Sequence, residues 1–121
     1  MNRLLPALAV VLTLAPVAAQ AMPVSEFLEE ASDIPHNPTA LVRADTRRLM
    51  GEIRAAIDTI GSEREAALAA GRTPAFCPPE HGRVSISADD ILARFNAIPA
   101  SRRHISVTQA MREWMADRYP C

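Results

Sequence analysis

The chain contains two cysteines, Cys77 in the stiff run Phe76-Cys77-Pro78-Pro79 and Cys121 closing the run Asp117-Arg118-Tyr119-Pro120-Cys121. A bond between them would confine everything from Cys77 onward to one closed loop, and few folds accept that constraint. In the chain-entropy picture a loop of roughly 45 residues is worth about 4 kcal/mol. That is a large share of the about 5–15 kcal/mol that holds a typical domain together. The expected use of such a bond is to tie the closing helix back onto an earlier loop. Two other chemistries compete for the same thiols. A redox-active pair commonly uses C-x-x-C spacing, and a metal centre would need His36, His81 or His104 to converge with the thiols. The chain offers neither the close thiol spacing nor a short ligand spacing, which favours the structural disulfide.

Disulfides persist in oxidising compartments, and the first residues point to one. Met1-Asn2-Arg3 supplies a short positive start, Leu4 to Val17 is nearly all apolar, and Ala19-Gln20-Ala21 is a small-x-small cleavage pattern. These are the three parts of a secretory signal. Residues 1–21 are therefore expected to be removed, leaving residues 22–121 as a single helical domain in the periplasm. The apolar run of about 14 residues, interrupted by Pro6 and Pro16, is short for an uncleaved anchor across a hydrocarbon core of about 30 Å. No stable membrane anchor is expected after cleavage.

Without Arg3 the chain carries 12 arginines, no lysine and 14 acidic residues. A mildly acidic domain has no electrostatic reason to bind nucleic acid or an anionic membrane. The exclusive use of arginine has two readings, selection for forked donors at an interface or the codon bias of a GC-rich genome. A domain of about 100 residues has a modest core and gains much from a covalent staple.

The periodicity along the chain is helical, with no sustained alternation of β-branched residues. Val24–Ala31 reads as a short first helix, closed by Asp33, Pro35 and Pro38. A long helix is expected from Thr39 to Ala70, its apolar stripe formed by Leu41, Leu49, Ile53, Ile57, Ile60 and Leu68. Gly51 and Gly61 each cost that helix about 1 kcal/mol relative to alanine, and Gly61-Ser62 is the expected break, with Ser62 capping the segment beyond it. These apolar residues number no more than the helix's own core requires, so they do not by themselves call for a dimer. The prolines of residues 71–82 make an ordered loop. Ser87 then caps a helix whose first turn carries Asp89 and Asp90, residues that favour the positive helix end. It continues through Ile91, Leu92, Phe95 and Ile98 to Pro99. The last helix opens with the capping-box pattern Ser106-Val107-Thr108-Gln109 and buries Val107, Ala110, Met111, Trp114 and Met115, with Arg112, Glu113 and Asp117 opposite. The expected fold is all-α: a small bundle of three to five helices after the signal, stapled by one disulfide.

Catalytic signatures are scarce. Neither G-x-S-x-G nor H-E-x-x-H occurs, and Asp89 with Asp90 is explained by capping rather than by acid–base chemistry, since adjacent helical residues diverge by about 100°. An enzyme is not expected, nor a cofactor or a metal. The basic turn Arg102-Arg103-His104 is a candidate contact for a partner's carboxylates, with a solvated loop as its plainer reading.

The stretch from Phe76 to Cys121 resembles the C-terminal half of the Tai-type immunity proteins, periplasmic partners of type VI secretion amidase effectors. The matching positions are Cys77, Pro78, Pro79, Pro99, His104, Pro120 and Cys121. Family members commonly add a second cysteine pair and a Tyr-x-x-Gly pattern, which the helix around Leu49–Ile57 lacks. The resemblance implies bonded cysteines, an all-helical and often dimeric fold, and inhibition of a peptidoglycan amidase by covering its cleft. The alternative is a small disulfide-stabilised envelope protein with a structural or stress-chaperone role.

Overall fold

The computed structural model describes residues 21–79 and 85–121. Residues 1–20, where the export signal is expected, and His81 lie outside the described residues. Among those described there are four α-helices and no β-strand, and Cys77 is bonded to Cys121 with the Cα atoms 4.9 Å apart. The expected stapled all-α bundle is what the chain forms.

Helix α1 spans Val24–Ser32 and begins after Pro23, which has no side chain to cap it. Its first free donors are satisfied from a distance: Val24 N–H donates to the Ile105 carbonyl and Ser25 N–H to the Arg103 carbonyl, both at 2.9 Å. In return Val107 N–H donates to the Met22 carbonyl at 2.8 Å. Residues 22–25 thus lie antiparallel to 103–107, joined by an isolated bridge between Pro23 and Ser106. Backbone donors at a helix start must find partners when buried, and here the turn before the last helix supplies them.

Helix α2 spans Ala44–Ala69, and it departs from the expectation in three ways. Residues Pro38–Val42 form a separate 3-10 turn, capped by the Asn37 side chain accepting from Thr39 N–H, and the chain is extended at Arg43 before α2 starts. Leu41 is therefore no part of the stripe and is 73% exposed. The helix also runs unbroken through Gly61, so Ser62 caps nothing. Its buried line is Leu49, Ile53, Ala56, Ile60 and Ala67, while Ile57 and Leu68 face solvent. Past Ala70 the helix closes with Gly71 at φ +70°, Gly71 N–H donating to Leu68 and Arg72 N–H to Ala67. This paired closure needs a left-handed residue, which glycine supplies without a Cβ penalty.

Helix α3 spans Ala88–Asn96 and opens with a reciprocal box: Ser87 Oγ accepts from Asp90 N–H, and Asp90 accepts from Ser87 N–H. The Ser87 backbone N–H first, and the Ser87 side chain after it, hold the Asp90 carboxyl below its ordinary range. Helix α4 spans Val107–Arg118. Only half of its expected box forms, because Ser106 Oγ accepts from Gln109 N–H while the Gln109 side chain turns to Arg112. All five residues expected on the apolar face of α4 are buried. They meet Phe27 and Phe95, whose rings stand edge to face at 5.2 Å, an arrangement favoured by the aromatic quadrupole.

The staple and the glycine positions can both be checked. Replacing Cys121 by serine is expected to cost about 3–4 kcal/mol, read as a fall in the urea midpoint that a reductant reproduces in the native chain. Gly61→Ala should act in the opposite sense. A Cβ at Gly61 meets nothing within 4 Å, so the substitution should stabilise by about 0.5–1 kcal/mol and raise the thermal midpoint; a lower midpoint would contradict the unbroken α2.

Candidate functional site

The basic turn singled out in the sequence is spent inside the fold. Arg102 pairs with Glu113 at 2.8 Å, and Arg103 donates to the carbonyls of Asn96 and Ile98, both at 3.0 Å, closing the end of α3. The His104 ring lies with Nδ1 3.1 Å from the Ser101 carbonyl. The carbonyls of this same turn cap α1. Arg102 and His104 remain exposed and Arg103 is half-buried, but each has an intramolecular task.

A different set of arginines converges elsewhere. The second half of α2, residues 72–76 and the middle of α4 enclose a cavity of about 480 Å³. Its floor is apolar, from Ile60, Ala67 and Phe76, and its rim carries Arg64, Arg72, Arg112 and Glu63. Arg112 grips the Glu63 carboxylate with both prongs, at 2.9 and 2.7 Å, and so joins α4 to α2. The hydrogen bond from Arg112 holds the Glu63 carboxyl below its usual range, and the same contact raises Arg112 further. Arg64 donates from Nε to the Phe76 carbonyl at 3.3 Å and lies over the Phe76 ring, 6.0 Å from its centroid. Arg72 is exposed and has no carboxylate within ion-pair distance among the described residues. One acid against three arginines leaves the rim positive in a chain that is acidic overall.

The groove combines forked donors with apolar surface. Guanidinium forks match carboxylates in a bidentate geometry, and an apolar floor beneath them adds burial of a neighbouring side chain. A second cavity, of about 400 Å³, lies between the end of α3 and α4. Its charges are already matched, Arg94 with Asp117 at 2.7 Å and Arg102 with Glu113. It therefore lacks the positive surplus of the first.

One more surface is unpartnered. Met50, Ile57 and Leu68 are each more than two-fifths exposed, and spacings of seven and eleven residues bring them within about 20° of one line along α2. Apolar residues counted towards the core in the sequence thus leave a surplus on the outside. The groove arginines went unnoticed in the sequence because Arg64, Arg72 and Arg112 are scattered over almost half the described chain. The only local signal was Gly71, whose helix-closing conformation fixes where Arg72 emerges.

No family model, curated protein or solved structure matches the chain.

The Glu63 pair yields a pH test. A carboxyl whose folded pKa is depressed contributes stability above its unfolded pKa, about 4.3, and loses it as pH falls through the folded value. Both side chains are partly exposed, so screening limits the effect to no more than about 1 kcal/mol. Glu63→Gln should be less stable than the native chain at pH 7, and the gap should narrow as pH falls below about 4.3 in urea titrations.

Proposed function

We propose that this chain is a periplasmic binding protein that inhibits a partner enzyme, of the kind its C-terminal half resembles, a type VI secretion peptidoglycan amidase. It acts by occupying a surface rather than by catalysis. The observation that carries this reading is the groove of Arg64, Arg72 and Arg112 over Ile60, Ala67 and Phe76. Its positive surplus suits a partner loop that presents carboxylates beside an apolar side chain. The disulfide supports an oxidising destination, in keeping with the export signal expected at residues 1–21.

The line Met50, Ile57 and Leu68 favours a second reading, an envelope protein that holds unfolded clients on exposed apolar surface. It is also the face that would serve the homodimer implied by the resemblance.

The two readings separate in one set of measurements. The oxidised chain should inhibit the amidase encoded beside it at a one-to-one ratio. Arg72→Glu should weaken binding at least tenfold, about 1.4 kcal/mol, without moving the thermal midpoint by more than a degree or two. An amidase that is neither bound nor slowed sinks the inhibitor reading. Suppression of client aggregation, lost in Ile57→Asp but kept in Arg72→Glu, would establish the other.

A further inference from the structure

The described chain enters the fold at a point where its backbone nitrogen faces a carboxylate. Met22 is 4% exposed, and its carbonyl is held by Val107 N–H at 2.8 Å. Its nitrogen lies 3.4 Å from Glu52 Oε2 on α2. For an amide donor that distance is long, so the neutral group uses the carboxylate poorly. Glu52 is half-buried and has no arginine within ion-pair distance among the described residues. By contrast Glu26 and Glu30 on α1 share Arg48 on α2, at 3.1 and 2.6 Å. A carboxylate left without a cation at a half-buried position is a cost, unless the cation arrives later.

The sequence locates where it would come from. Ala19-Gln20-Ala21 puts the scissile bond of the export signal between Ala21 and Met22. We propose that hydrolysis of the Ala21–Met22 bond turns the poorly bonded amide into an α-ammonium that pairs with Glu52, so that processing itself fastens the chain start onto α2. The step consumes one water. Its oxygen goes to the Ala21 carbonyl, which departs with the signal as a carboxylate. The Met22 nitrogen takes up protons and, with an ordinary pKa of about 7.7–8.0, is cationic at neutral pH.

The consequence reaches beyond one ion pair. Residues 22–25 and 103–107 cap each other's backbone, so a fixed Met22 also holds the turn that closes α3 and opens α4. The uncleaved chain has the same side chains but lacks this cation. Folding to full stability is thereby coupled to release from the export machinery. The inference rests on the export reading of residues 1–21 and is independent of which partner the groove takes.

The test is a cycle between the terminal charge and Glu52. The oxidised chain is released from a fusion so that Met22 comes first, and is compared with the same chain acetylated at its α-amine, each with and without Glu52→Gln. Glu52→Gln should lower the thermal midpoint of the free-amine chain by about 2–5 °C, and that of the acetylated chain by less than about 1 °C. Equal shifts in both overturn the ion pair. Mass analysis of the exported protein keeps the two layers apart. A mature start at Met22 with a null cycle, or a start at another residue, defeats the proposal and leaves the export reading standing, while no cleavage defeats both.

Discussion

The packing of α4 against α2 is the contact from which the other elements hang. The buried face of α4, from Val107 to Met115, supplies much of the core. Its polar face reaches three different neighbours: Arg112 to Glu63 on α2, Glu113 to Arg102 in the preceding turn, and Asp117 to Arg94 on α3. Each of these pairs is partly exposed and individually weak. Together they fix the roll of α4 about its own axis, which a stripe of flexible methionines would leave loosely specified. At its start the preceding turn caps α1, and beyond its end Cys121 is bonded to Cys77. A short helix held at both ends and on both faces can hold the rest in place.

That arrangement also explains why the arginine-rimmed groove sits where it does. Cys77 follows Phe76 directly, and Cys77 N–H donates to the Tyr119 carbonyl at 2.7 Å. The disulfide and this hydrogen bond set the extended segment alongside the end of α4, with Phe76 pressed into the core. The segment then has one course from Gly71 to Cys77, and that course forms one wall of the groove. A rim whose backbone is already ordered loses less entropy when a ligand arrives. The staple thus shapes the groove wall as well as closing the fold.

The elements legible in the sequence are those whose signals are local. Ser87 and Ser106 cap helices because a short side chain can reach the third N–H, and the α4 face could be read from its spacing alone. The disulfide needed only two thiols and a destination. What failed on α2 were signals that depend on the neighbour. Ile57 and Leu68 have the right chemistry for the core, but Ala56 and Ala67 take the buried positions beside them. An apolar stripe counted by side-chain size overlooks alanine, which is often the residue at a close helix crossing. Gly61 looked like a break because its propensity is poor, yet 26 residues of helix with tertiary packing along one side outweigh about 1 kcal/mol. The groove was invisible for a further reason. Its arginines come from α2, the loop and α4, and only the fold brings them together.

The absence of lysine takes on a physical meaning once the contacts are laid out. Arg112 uses two nitrogens on one carboxylate, Arg48 divides its two between Glu26 and Glu30, and Arg103 reaches two backbone carbonyls at the end of α3. A lysine ammonium is a compact point charge and cannot span two acceptors with fixed planar geometry. In a domain with a modest core, these forks act as cross-links between elements. Codon bias can account for arginine being abundant, but it does not account for the same side chain bridging two acceptors at three separate junctions. The net charge near neutrality then conceals a division of labour. Among the described residues six acids are matched to arginines, and a local positive surplus is left at the groove where Arg64 and Arg72 stand beside an already paired Arg112. A partner would meet that local surplus rather than the mildly acidic average of the whole chain.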